Sequence, residues 1–122
     1  MIVAGFGFRA SASAASLLDA FEQVVDGTRP THLSAPDDKV DAECLRAVSE
    51  RLQLPVVSVG SAALIEAETM TQSPRVIEAR GVGSVAEAVA LAAVGEGARL
   101  AGPRAVSADR LATCAIAIGG AT

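Results

Sequence analysis

The sequence predicts an α/β fold with three layers, α/β/α, around a mixed, mainly parallel sheet of about five strands that closes in a C-terminal hairpin. Three observations predict it. Short apolar runs alternate with stretches at helical spacing for most of the chain. After Gly97 the helical spacing is lost while two apolar runs remain. The composition is 51% hydrophobic with only three Phe and no Trp or Tyr, so small aliphatic side chains must pack helices closely onto the sheet. At 122 residues the chain is read as one domain, residues 1–122.

Ile2-Val3-Ala4 is a buried-strand signal that stops at Gly5. The segment from Gly5 to Ala10 is expected to be a loop. Ala14, Leu17, Leu18, Phe21, Val24 and Val25 then recur at helical spacing, with Ser11 or Ser13 as cap and Asp26-Gly27 as terminator. Thr31 to Ser34 reads as a second strand, broken by Pro36. Asp37-Asp38 offers acidic residues for the start of a second helix, whose stripe is Leu45, Val48 and Leu52. Val56 to Val59 is a third strand between Pro55 and Gly60. Short helices are expected around Ala62–Glu66 and Arg75–Arg80.

Ser84-Val85-Ala86-Glu87 has capping-box spacing ahead of a helix carried by Val85, Ala88, Val89, Ala92 and Ala93 and closed by Gly95. Leu100–Val106 and Ala112–Ile118 are strand-like, and the polar turn at Ser107–Arg110 makes them a hairpin. The first three strands should be parallel, and the hairpin should add an antiparallel edge or near-edge strand.

A net charge of −4 argues against a nucleic-acid surface. No apolar run approaches the ~18 residues of a membrane span, and the N-terminus lacks a signal-peptide pattern. Cys44 and Cys114 fit neither a metal spacing nor a disulfide framework and read as buried thiols. The expectation is a soluble, cytoplasmic protein with no metal and no cofactor.

Gly5-Phe6-Gly7-Phe8-Arg9-Ala10 matches G-x-G-x-x-[GA] between a strand and a helix. Glycines allow close ligand approach, the helix start offers free N–H groups, and Arg9, Ser11 and Ser13 add donors. The other reading is a tight turn with Arg9 in water. Dinucleotide binding is disfavoured, because Leu33-Ser34-Ala35-Pro36 stands where a ribose-binding acid belongs. Lys39, the only Lys, lies among Asp38, Asp41 and Glu43. It could pair with Glu43 if both are helical, and would share a sheet edge with Arg9 if the first two strands are neighbours. Ser58, near the end of the third strand, could face the same crevice. His32 has no catalytic or metal-ligand arrangement around it, and no nucleophile motif is present.

Three segments occur in one order: Gly5-x-Gly7-x-Arg9-x-x-x-Ser13, Leu33-Ser34-Ala35 with Lys39-x-x-x-Glu43, and Gly81-x-Gly83-Ser84-Val85-Ala86-Glu87-Ala88. Together, over nearly the whole chain, they resemble the CobE/CbiG C-terminal domain family of cobalamin (vitamin B12) biosynthesis. Phe8 stands where the family often has Cys, and Pro36 where Ile is common. The resemblance implies a polycarboxylate corrinoid (precorrin) ligand, with other cobalamin-pathway enzymes as candidate partners. Its candidate ligand-binding set is Gly5, Gly7, Arg9, Ser11, Ser13, Lys39, Glu43, Ser58 and Ser84.

CbiG proteins hydrolyse the lactone of cobalt-precorrin-5A, but through a chain whose N-terminal portion has no counterpart here. CobE-like proteins are linked to the aerobic route. A binder or carrier, a stand-alone precorrin hydrolase or isomerase, and a phosphate or nucleotide module therefore remain three open alternatives, the last resting on G-x-G-x-x-A alone.

Overall fold

A computed structural model describes residues 1–60 and 84–119. The two short helices expected between 62 and 80, and Gly81 and Gly83 of the third segment, lie outside the described residues. The sheet has six strands: β1 (Ile2–Phe8), β2 (His32–Pro36), β3 (Val56–Val59), β4 (Arg99–Leu100), β5 (Ala105–Val106) and β6 (Ala112–Ile118). The described helices are α1 (Ala14–Val25), α2 (Glu43–Leu52) and α3 (Val85–Val94). Strand order is β3-β2-β1-β6-β4, with β5 also paired to β6. β1, β2 and β3 run parallel, and β6 is antiparallel to β1 from Ile2↔Ile118 to Phe8↔Ala112.

Alternation along the strands sorts the layers. Ala4 and Phe6 of β1, Leu33 and Ala35 of β2, and Ala112, Cys114 and Ile116 of β6 pack with Leu17, Ala20 and Phe21 of α1 and with Leu45 and Val48 of α2. Phe6 and Phe21 stack at 6.4 Å between ring centroids. On the opposite face, Val59 packs with Ala88 and Val89 of α3. There the Ser34 hydroxyl donates to the Val89 carbonyl at 2.9 Å.

Several boundaries differ from expectation. β1 does not stop at Gly5 but continues through Phe8, because β6 pairs with it over its full length. Gly5 and Gly7 are thus strand residues under α3. A Cβ on Gly5 would lie 2.3 Å from the Ala86 carbonyl oxygen, so the missing side chain is what lets helix and sheet approach. The second helix starts at Glu43 rather than at Asp37-Asp38. The intervening turns, closed by Lys39 N–H to Pro36 C=O (2.8 Å) and Ala42 N–H to Lys39 C=O (3.1 Å), carry the chain from sheet to helix layer. Lys39 therefore precedes the helix, and no Lys39–Glu43 helical pair forms.

The stretch Leu100–Val106 divides into the ends of β4 and β5 around Gly102-Pro103, since Pro has no N–H for the ladder. β5 and β6 pair antiparallel at Ala105↔Cys114 and Val106↔Thr113, as a hairpin requires. At the other end of β1 and β6, the Gly119 N–H donates to the Met1 carbonyl at 2.7 Å. No described helix is long and apolar enough to cross a membrane.

Candidate functional site

β1 and β2 run in the same direction, so the segments that leave them for α1 and α2 emerge side by side. In α/β sheets this carboxyl edge is where ligands collect. Between the two helix starts lies a cleft of about 690 Å3, lined by Phe8, Ala10, Ala12, Ser13 and Ala14 from the first connection and by Asp38, Lys39, Asp41, Ala42, Glu43 and Cys44 from the second. The Lys39 ammonium sits over the Phe8 ring, 5.4 Å from its centroid. The ring quadrupole attracts the cation there, which holds Lys39 over the end of β1 rather than out in water.

Ser13 caps α1. Its Oγ accepts from the Ser16 N–H at 3.2 Å, and Ser16 Oγ accepts from the Ser13 N–H at 3.2 Å, a reciprocal box that fixes the cleft wall. Arg9 and Ser11 are exposed on the same connection, and the Arg9 backbone N–H donates to the Leu111 carbonyl at 2.9 Å. The structure thus brings Ser13, Lys39 and Glu43 into one cleft, with Arg9 and Ser11 beside it. The remaining candidates lie elsewhere. Gly5 and Gly7 are buried in the sheet on the α3 face. Ser58 donates its hydroxyl to Asp37 at the end of β2, outside the cleft lining. Ser84 is buried on the far face as the N-cap of α3, accepting from the Glu87 N–H at 3.3 Å.

Phe8 and Cys44 are cleft residues that the pattern reading did not select. Phe8 looked like part of a glycine loop, and Cys44 like a core thiol. Cys44 is half-buried at the cleft, whereas Cys114 is fully buried and its thiol is pushed well above the ordinary value by desolvation. Buried Glu87 was also unforeseen in its role: its Oε2 accepts from the Arg104 backbone N–H at 2.8 Å, tying α3 to the segment before β5. Among the described residues no group of His, Cys, Asp and Glu could hold a metal ion.

Charge divides the site. Asp38, Asp41 and Glu43 lie on the β2 side with Lys39. On the β6 side, Asp109 is engaged by its own turn: Oδ1 accepts from Ser107 Oγ at 2.5 Å and from the Leu111 N–H at 3.0 Å, and Oδ2 from Ser16 Oγ at 2.5 Å. The Ser107 hydroxyl first, then Ser16 and the Leu111 amide, hold its carboxyl below the ordinary carboxylate value.

The family model for the cobalamin synthesis G C-terminus matches residues 2–117. Two crystal structures are similar. CobE, a protein from the cobalamin (vitamin B12) biosynthetic pathway, is 30% identical with a TM-score of 0.83, over 96% of this chain and 89% of that one. The cobalamin biosynthesis protein chiG from Agrobacterium tumefaciens str. C58 is 35% identical with a TM-score of 0.76, over 99% of this chain and 100% of that one. No curated protein matches. A match across almost all of the sequence, joined to the same α/β fold at this identity, establishes that the chain belongs to the cobalamin synthesis G C-terminal family.

Proposed function

We propose that this protein binds a polycarboxylate corrinoid intermediate of cobalamin synthesis and carries it between pathway enzymes. The observation that supports this reading is the cleft between the starts of α1 and α2, with Lys39 resting on the Phe8 ring. Its volume falls within the ~300–1,000 Å3 common for small-molecule sites. An aromatic face suits a conjugated macrocycle, while an ammonium and a nearby guanidinium suit its acetate and propionate arms. In the lining the Ser13 hydroxyl is engaged with Ser16 rather than with a base, which favours binding over hydrolysis or isomerisation.

Titrating the purified protein into a precorrin or cobyrinic acid and following the corrinoid absorbance tests the reading. A complex at micromolar protein is expected; no spectral change at that concentration removes the proposal. Recovering the ligand unchanged after a single turnover distinguishes a carrier from an enzyme, which would release an altered product.

Arg9→Ala should weaken binding by roughly tenfold to a hundredfold, the worth of a charge-assisted hydrogen bond. The fold should survive, because the side chain is exposed. Arg9→Lys should recover only part, since an ammonium lacks the two-pronged fork. Arg51→Ala, in the last turn of α2, should bind like the parent. Equal affinity for Arg9→Ala and the parent would place the ligand away from the β1 connection.

A further inference from the structure

At the cleft end of the sheet, β2, β1 and β6 are consecutive neighbours. Each delivers one cationic residue there: Lys39 in the turns that follow β2, Arg9 directly after β1, and Arg110 just before β6. The pairing Phe8↔Ala112 and the Arg9 N–H bond to the Leu111 carbonyl at 2.9 Å set Arg9 opposite Leu111, so Arg110 lies one residue beyond Arg9's counterpart on the neighbouring segment. Neighbouring strands lie about 4.8 Å apart, so the ends of β2, β1 and β6 that carry these residues span about 10 Å.

Arg9 and Arg110 are both exposed, and neither side chain makes an ion pair among the described residues. Asp109, the carboxylate next in sequence to Arg110, is occupied by Ser107, Ser16 and the Leu111 amide. The acidic residues of the cleft lining, Asp38, Asp41 and Glu43, all lie on the β2 connection. Among the described residues, the β1–β6 end of the row thus carries positive charge with no carboxylate paired to it.

We propose that Arg110 is a ligand-binding residue that completes a row with Arg9 and Lys39 and receives a second peripheral carboxylate of the corrinoid. This rests on the corrinoid reading and deepens it: the row selects ligands with several carboxylates spaced along one rim. A guanidinium binds a carboxylate with two parallel hydrogen bonds, so Arg9 and Arg110 can each fix one arm in orientation as well as position.

The probes are cobyrinic acid, a corrinoid polycarboxylate, and its fully methylated ester, which keeps the ring and loses every negative charge. Arg110 has φ +62 and so occupies the left-handed region. The appropriate variant is Arg110→Asn, since Asn tolerates that backbone where Ala is strained. Thermal melts of the variant should match the parent.

Arg110→Asn is expected to lose about tenfold in affinity for the acid, with Arg110→Lys intermediate. Affinity for the ester should be the same in the parent and in both variants. A parent that binds the acid while Arg110→Asn binds it equally well overturns the row and leaves the corrinoid reading standing. An equal loss for acid and ester also overturns it, since the effect is then not charge pairing. A parent that binds neither probe overturns both proposals.

Discussion

A methyl group at Gly5 would meet the Ala86 carbonyl oxygen at 2.3 Å and the Ala90 amide nitrogen at 2.7 Å, both backbone atoms of α3 that no rotamer change can move. Gly5→Ala should therefore cost about 1–3 kcal/mol, the usual range for overpacking. Gly27 is a useful contrast: its φ is +79, yet nothing lies within 4 Å of an added Cβ. Gly27→Ala should lose less, about 1 kcal/mol from backbone strain alone. Urea denaturation of both variants checks the order, and an equal or larger loss at Gly27 would refute the close-approach account of Gly5. The same residues show why a local pattern misleads. G-x-G before a helix is read as a loop because Gly favours turns. The partner that turns it into strand is β6, about a hundred residues away, and no local signal announces that pairing. Phe8 was hidden for the same reason, since its place in the cleft depends on where β1 ends.

Turns and caps carry much of the specificity of the elements. The Ser107–Arg110 turn is bonded to α1 at several points: Asp109 to Ser16, Asp19 to the Ala108 N–H at 2.7 Å, and Gln23 to the Val106 carbonyl at 3.0 Å. Because these contacts favour ionised Asp109, its carboxyl titrates lower in the folded than in the unfolded protein. The folded state then binds fewer protons, so the contribution to stability is present above the unfolded value near 3.9 and is lost as pH falls through the lower folded value. Asp109→Asn should be less stable than the parent at neutral pH, and the gap should shrink towards pH 3. A gap that stays constant with pH would show that the carboxylate charge is not what matters. The capping signals were readable in advance because they are local: Ser13 and Ser84 cap the helices they precede. The start of α2 was not, since its N-cap is Ala42, with no side-chain bond to mark it.

At the scale of the molecule, the parallel β1-β2-β3 order and the closing hairpin follow from the alternation of periods, which short crossovers convert into neighbouring strands. The antiparallel near-edge place of β6, next to β4, agrees with the sequence reading, whereas the division of the apolar stretch that gives six strands did not follow from sequence. Cys114, in β6, reports on the whole sheet. Its thiol is buried and desolvated, whereas Cys44 is only partly covered at the cleft. An aromatic disulfide reagent should modify one thiol rapidly in the native protein. The second should react at a rate that follows global unfolding across a urea series. Rapid modification of both would mean that β6 opens independently of the rest.

The antiparallel pairing of β1 and β6 also gives the molecule two poles. The cleft lies where β1 ends at Phe8, and Met1 and Gly119 are joined by a hydrogen bond where β1 begins. A fluorescent protein, an affinity tag or a surface tether attached ahead of Met1 would hang from the pole turned away from the cleft. Immobilisation through Met1 thus leaves the opening presented to solution.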